Sequence, residues 1–145
     1  MTSQYIRKTS DDKLAGAIRL LLGILFLMTG AMKLSVPMLA DAWSGQLLAA
    51  DLPFHTLTRW TVPFLEILLG FALSLGTFAR LAVIVVMAIM VVATYVHLVV
   101  SDPSLFPLQP SAPIIPLAVI ALGTYVLWRG AGAWSLDVRA SRPTA

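Results

Sequence analysis

The stretch LAGAIRLLLGILFLMTGAMKLS, residues 14–35, is long and apolar enough to cross a membrane, yet it carries Arg19 and Lys33. A spanning helix needs about 20 residues, and a charged side chain at its centre costs roughly 2.5 to 3.5 kcal/mol on insertion scales. Intervals of three and four residues place six side chains on one helical face: Gly16, Arg19, Gly23, Phe26, Gly30 and Lys33. We therefore predict a membrane helix that packs this small and polar face against other helices.

The composition supports a single membrane domain over residues 1–145. Of the 145 residues, 59% are hydrophobic and 12% are charged, whereas soluble domains carry about 25% charged residues. The net charge of +3 comes from scattered basic residues without a basic run, so we predict no nucleic-acid partner. The absence of cysteine excludes disulfides, CxxC redox pairs, iron–sulfur clusters and c-type haem attachment.

Four apolar segments predict an all-α fold, a four-helix transmembrane bundle with spans at residues 14–35, 60–76, 80–100 and 113–128. Residues 77–79 are the whole connection between the second and third spans, which predicts a tight helical hairpin. Leu39, Trp43 and Leu47 recur every four residues, which predicts a short amphipathic helix on the outer membrane surface. The tail from Ala131 is predicted to be a short flexible end.

The other connection and the charge distribution predict how the bundle is closed and oriented. Residues 101–112 contain three prolines and predict an irregular, partly apolar cap over one end of the bundle. With the N-terminus inside, eight lysines and arginines lie on the inner side and two on the outer side. The inner set is Arg7, Lys8, Lys13, Arg19, Arg80, Arg129, Arg139 and Arg142. Both termini are therefore predicted to be cytoplasmic, and no cleavable signal is recognised.

Alternating spans bring Lys33, Glu66 and His97 to a similar depth, about 3, 9 and 6 Å from the outer ends of their segments. Lys33 can stabilise an anionic oxygen, His97 can donate to a carbonyl or relay a proton, and Glu66 can take a proton up. We predict catalytic roles for Glu66 and His97. We also predict a cofactor site, suited to a quinone, formed by Lys33, Glu66, His97 and the nearby Tyr95.

Simpler interpretations of the same residues stay open. Lys33 and Glu66 can be an intramembrane ion pair that fixes helix register, and His97 can be a satisfied polar residue at a helix end. One histidine and one glutamate are too few for a metal site unless His55, Asp51 or Asp102 folds over from the outer connections, and no metal or haem motif is present. Arg19 and the corresponding Arg80 are expected to extend toward cytoplasmic lipid phosphates.

The motifs resemble the DoxX family of small four-helix bacterial membrane proteins. Arg19, Gly23, Phe26, Gly30 and Lys33 match its R…G…F…G..K pattern, and residues 66–80 match its E…G…..G…R hairpin. His97 and Pro53 also fall where the family commonly carries these residue types, although Leu69 precedes Gly70 where members often have two small residues. The resemblance covers about residues 14–100 and implies a multi-pass protein of the bacterial plasma (inner) membrane.

The resemblance also carries functional expectations. Relatives are linked to thiosulfate:quinone oxidoreductase and to oxidative-stress complexes. Our first hypothesis is a quinone-interacting, redox-associated membrane subunit that receives electrons through a soluble or membrane redox partner and contacts membrane lipids. A non-catalytic anchoring or assembly subunit and a small-molecule or lipid transporter are the alternatives, and a homo-oligomer stays open.

Overall fold

A computed structural model describes Thr9 and residues 11–141 of the chain. These residues form six α-helices and a 3-10 turn, and no strand occurs among them. The helices are α1 (Lys13–Ser35), α2 (Pro37–Ala49), α3 (His55–Leu75), α4 (Ala79–Val99), α5 (Ile114–Arg129) and α6 (Leu136–Ser141), with the 3-10 turn at Pro103–Leu105. The predicted all-α class is confirmed; Arg7, Lys8 and Arg142, which entered the topology count, lie outside the described residues.

The predicted inner face of α1 is confirmed. The carboxylate of Asp12 accepts hydrogen bonds from the amides of Leu14 and Ala15, which satisfies two donors at the start of the helix. Pro37 follows α1 closely and begins α2, a position where its missing N–H costs nothing. The face predicted from spacing is buried, apart from the half-buried Lys33: Gly16, Arg19, Gly23, Phe26 and Gly30.

Small residues line the contact between α1 and α3. A Cβ at Gly23 would lie 2.8 Å from the Ser74 amide nitrogen, and a Cβ at Gly70 would lie 2.7 Å from the Leu27 amide nitrogen. The two backbones therefore approach as closely as small residues permit. The main core lies between the helices and includes Leu22, Phe26, Leu73, Val83, Val86 and Val126.

The four long helices form a ring in which α1 and α4 lie on a diagonal. α1 contacts α3 and α5, and α4 contacts the same two helices. α1, α3 and α4 are each long and apolar enough to cross a membrane, and α5 is a shorter apolar helix. The tight hairpin between α3 and α4 is confirmed, with Gly76 in the left-handed conformation at the end of α3.

Three of the four spans begin and end within about a residue of their predicted bounds, whereas α3 begins at His55 rather than near Trp60. The first turn of α3 forms because the Thr58 amide donates to the Phe54 carbonyl. Its residues are largely polar or exposed, so a hydropathy criterion does not detect this turn. The predicted helix between the first two spans is confirmed as α2, and residues 101–112 form a mainly irregular connection, as predicted.

The prediction of a flexible tail from Ala131 is wrong. Residues 130–133, 135, 137 and 138 are buried, and the Ala133 amide donates to the Asp12 carbonyl over 2.9 Å. Gly132 adopts a left-handed conformation, and a Cβ there would overlap the backbone of α1. The tail packs because the helix ends present carbonyls and amides that need partners. We call this end, with residues 9, 11, 12, 76–78 and 129–141, the terminal end, and the opposite end, with residues 36–54 and 100–113, the loop end.

Candidate functional site: an ion pair at the loop end

Lys33 and Glu66 form an ion pair between α1 and α3 at the loop end. The Lys33 ammonium nitrogen lies 2.6 Å from Glu66 Oε1, and the side chains are 22% and 2% exposed. Gly30, one turn before Lys33, allows this approach, since a Cβ there would lie 2.7 Å from the Pro63 carbonyl oxygen. The two sequence-predicted residues are therefore brought together by the same small-residue contact that joins the helices.

The second carboxylate oxygen of Glu66 is the unusual feature of the pair. Oε2 is buried and has no hydrogen-bond partner among the residues that the structure describes. Buried polar atoms in native proteins almost always have a partner, because an unsatisfied one costs about 1 to 3 kcal/mol or more. This atom therefore marks a place where the protein alone does not complete the hydrogen bonding.

Trp43 of α2 covers the pair from the loop end. The Lys33 ammonium nitrogen lies 4.4 Å from the centre of the Trp43 ring, a cation–π distance. The indole N–H donates to the Arg59 carbonyl over 3.2 Å. The Arg59 carbonyl has no donor within the helix, because Pro63, four residues later in α3, lacks an N–H. The proline in the helix thus provides the acceptor that positions Trp43.

Trp43 lies beside the pair, although the sequence predicted no role in the site for it. Trp43 was identified only as part of the apolar stripe of a surface helix. The usable signal was Pro63, since a proline inside a helix frees a carbonyl four residues earlier. The identity of the donor to that carbonyl depends on long-range packing, which spacing does not reveal.

His97 belongs to a neighbouring contact that holds the 101–112 connection. Its Nδ1 lies 2.8 Å from the Ser111 carbonyl oxygen, so Nδ1 carries a proton, because a carbonyl can only accept. The ring stacks on Phe106 with centroids 4.4 Å apart. Phe106 packs with Ala50, Val96 and Val100 in a second small core. The polar partner of His97 is thus the Ser111 carbonyl in the 101–112 connection, rather than Lys33 or Glu66.

Tyr95 lies on α4, two residues before His97, and is 48% exposed. The structure places it at the loop end of α4 and outside the helix core. A cofactor-binding role for Tyr95 and a catalytic role for His97 stay predictions.

Arg19 does not extend to the membrane surface, so that prediction is wrong. The side chain is fully buried, and its guanidinium donates to five backbone carbonyls. Two acceptors, Leu73 and Ser74, end α3, and three lie in the tail: Ala131, Ala133 and Trp134. The Nε–Ala131 O distance is 2.7 Å. Arg19 stays inside because the folded tail supplies acceptors that replace water and lipid phosphate.

Two carboxylates complete the terminal end. Asp137 accepts hydrogen bonds from the amides of Phe78 and Ala79 and so caps α4 from the tail. Asp12 caps α1 and pairs with Arg129, whose Nε lies 2.7 Å from Oδ2. The backbone amide of Ala15, followed by the hydrogen bond from Arg129, lowers the pKa of Asp12 below its usual value.

Comparison with known proteins agrees with this architecture. The DoxX family model matches residues 14–98, which include α1 to α3 and nearly all of α4. No curated protein and no solved structure gives a significant match. The matched region holds the three helices that are long and apolar enough to span a membrane, together with Lys33 and Glu66. The chain is an integral membrane protein that belongs to the DoxX family.

Proposed function

We propose that this protein is a quinone-interacting, redox-associated membrane subunit, and that the Lys33–Glu66 pair is its ligand site. One observation carries the proposal: the buried Glu66 carboxylate has one oxygen paired with Lys33, and the other has no partner among the residues that the structure describes. A polar site of this kind within an apolar bundle is a functional candidate by default.

The surroundings of the pair suit a flat, lipid-soluble ligand with polar oxygens. The Lys33 ammonium has three N–H donors, directs one at Glu66, and remains 22% exposed. A ligand oxygen can therefore reach it. The Trp43 ring beside Lys33 offers an aromatic surface for a second ring, and the adjoining helices are apolar.

His97 and Tyr95 have secondary roles in this proposal. His97 fastens the connection that closes the loop end, and its Nε2 is the ring nitrogen left to exchange a proton. Tyr95 lies on the lipid side of α4, where a ligand approaching from the bilayer passes. We propose that the protein resides in a bacterial plasma membrane with both termini cytoplasmic. Because the sequence contains no motif for a redox cofactor, a partner protein supplies the electrons.

Trp43 fluorescence tests the proposal, because quinones quench tryptophan only at short range. Menadione is titrated into the protein in lipid nanodiscs, and we expect saturable quenching. Trp43→Phe should abolish the saturable part, whereas Trp128→Phe, which removes an exposed tryptophan at the terminal end, should retain it. Lys33→Met should weaken the apparent affinity by about tenfold or more, as for loss of a charged hydrogen bond.

The same titration can contradict the proposal. Quenching that rises without saturation, or that is identical in Trp43→Phe and Trp128→Phe, would show that menadione is dissolved in the lipid and not bound at the pair. An unchanged affinity in Lys33→Met would place the ligand elsewhere.

A non-catalytic anchoring or assembly subunit is the second candidate. The observation that favours it is the Lys33–Glu66 ion pair between α1 and α3, which by itself fixes the register of the two helices. In this case Lys33 and Glu66 contribute only stability. Their replacement by matched apolar residues would then leave every cellular function of the protein intact.

A further inference from the structure

Glu66 Oε2 is a buried hydrogen-bond acceptor that receives no donor from the described part of the chain. Building on the proposed function, we infer that the Lys33–Glu66 site binds the hydroxyl of a hydroquinone in preference to the carbonyl of the corresponding quinone. The two forms of the ligand differ in their hydrogen-bonding groups, since a quinone carries carbonyls and a hydroquinone carries hydroxyls.

The 2.6 Å contact between the Lys33 ammonium nitrogen and Oε1 favours the ionised carboxylate form of the Glu66 side chain. An ionised carboxylate only accepts hydrogen bonds, and so does the carbonyl oxygen of a quinone. A quinone therefore has no group that satisfies Oε2, and its oxygen lone pairs would face those of the carboxylate. A hydroquinone has O–H groups, and each hydroxyl can donate to Oε2 and accept from the Lys33 ammonium at once.

Three side-chain donors at the loop end are directed at backbone carbonyls. The Trp43 indole N–H donates to the Arg59 carbonyl, and the Gln46 amide donates to the Leu105 carbonyl. The protonated Nδ1 of His97 donates to the Ser111 carbonyl. Among the described side chains, none donates to Oε2, so the missing donor is expected to come from a ligand.

The route to Oε2 runs beside Lys33. Glu66 is 2% exposed, whereas Lys33 is 22% exposed and lies beneath the Trp43 ring. A hydroxyl that bonds to a carboxylate must come within about 2.5 to 2.7 Å of the oxygen. The ligand ring is therefore expected to lie beside the Trp43 ring, with its hydroxyl within reach of both the Lys33 ammonium and Oε2.

Matched ligands test the inference on the unaltered protein. Binding of duroquinone, its two-electron-reduced hydroquinone, and the dimethyl ether of that hydroquinone is measured in nanodiscs without oxygen, from the shift of the unfolding temperature with ligand concentration. The menadione series is measured in parallel. We expect each hydroquinone to bind about ten- to a hundredfold more tightly than its quinone and its ether, because only the hydroquinone donates to a charged acceptor.

A variant identifies the acceptor. Glu66→Gln keeps the shape of the side chain but places an N–H₂ group within the site, so it can donate to a quinone carbonyl. We expect the preference for the hydroquinone to fall by tenfold or more in this variant. Asp41→Asn, an exposed change on α2, should leave the preference unaltered.

The outcomes separate this inference from the proposed function. Equal binding of quinone and hydroquinone in the unaltered protein would overturn the preference, leaving a quinone site in place. Equal binding of hydroquinone and dimethyl ether would overturn it too, since the hydroxyl hydrogen would then contribute nothing to binding. If no ligand of either series shifts the unfolding temperature, the proposed function and the inference fail together.

Discussion

Arg19 and Lys33 are both cations on the buried face of α1, but their surroundings differ at the two ends of the bundle. Arg19, at the terminal end, is fully buried and donates to five carbonyls. Lys33, at the loop end, remains 22% exposed and pairs with a carboxylate that has one oxygen unsatisfied. The hydrogen bonds of Arg19 are complete within the described residues, whereas those of the Lys33–Glu66 pair are not.

The completeness of its hydrogen bonding distinguishes a structural cation from a candidate binding residue more clearly than its charge or its depth in the bundle does. A buried cation whose donors are all matched by backbone acceptors has no capacity left for a ligand. An incomplete pair beside an exposed ammonium has such capacity, at a cost in stability. We therefore attribute Arg19 to folding of the terminal end and propose that the Lys33–Glu66 pair binds a ligand.

The largest expected effect is at Arg19. Arg19→Leu leaves the carbonyls of α3 and the tail without their donor, and we expect the free energy of unfolding to fall by about 4 kcal/mol. Arg19→Lys keeps the charge but not the branched donor geometry, so it should recover less than half of that loss. Chemical denaturation in detergent measures both values.

Arg139 provides the matched control for Arg19. It is an exposed arginine of α6, and Arg139→Leu should change the free energy of unfolding by less than about 0.5 kcal/mol. A loss of similar size in Arg19→Leu and Arg139→Leu would contradict the assignment of Arg19 as the connector of the terminal end.

The next largest effect is at the ion pair. Lys33→Met leaves the Glu66 carboxylate buried without a counter-charge and should cost about 3 kcal/mol. The double variant Lys33→Met/Glu66→Leu should regain most of this stability, because two apolar side chains replace two charges. Unlike Arg19, whose partners are backbone carbonyls, the pair is thus expected to be replaceable without loss of fold.

A double-mutant cycle from chemical denaturation gives the coupling free energy. Lys13→Met, which removes an exposed lysine at the start of α1, is the control for loss of charge and should be near neutral. Additive losses in the double variant would mean that the Lys33–Glu66 bond does not form as described.

The smallest expected effect is a pH dependence at the terminal end. The pKa of Asp12 is lowered in the folded protein by the Ala15 amide and by Arg129. The unfolded chain therefore binds a proton at a higher pH, about 3.9, than the folded protein does. The contribution of Asp12 to stability is complete above that pH and is lost as the pH falls through the folded pKa.

We therefore expect the unfolding temperature to fall less steeply below about pH 4 in Asp12→Asn than in the unaltered protein. Asp41→Asn, an exposed change on α2 at the other end of the bundle, should keep the original slope. Identical slopes in all three proteins would show that Asp12 is not stabilised as a carboxylate at the end of α1.

The sequence predicted what depends on local spacing. The buried face of α1 follows from intervals of three and four residues, and the approach of α1 to α3 follows from Gly23, Gly30 and Gly70. Lys33 and Glu66 meet because both belong to these packed faces. Hydropathy and the lengths of the connections were sufficient to predict the number of long helices and their alternating direction.

The order of the helices around the bundle was not predictable from periodicity. α1 and α4 lie on a diagonal, and the polar partner of His97 is the 101–112 connection. The tail from Ala131 lacks an amphipathic signal, and its burial depends on meeting Arg19 and the start of α4. The tail contacts join residues more than fifty positions apart, where spacing carries no information.

Photoaffinity labelling tests the central claim most directly. An azido-quinone is activated in membranes that contain the protein, and the labelled positions are mapped by mass spectrometry. We predict labels on α2 around Trp43 and on α3 around Glu66, suppressed by excess menadione and strongly reduced in Glu66→Gln. Labels along the lipid-facing helices or around Trp128 and Trp134, unaffected by competitor, would contradict the assignment of the Lys33–Glu66 pair as the ligand site.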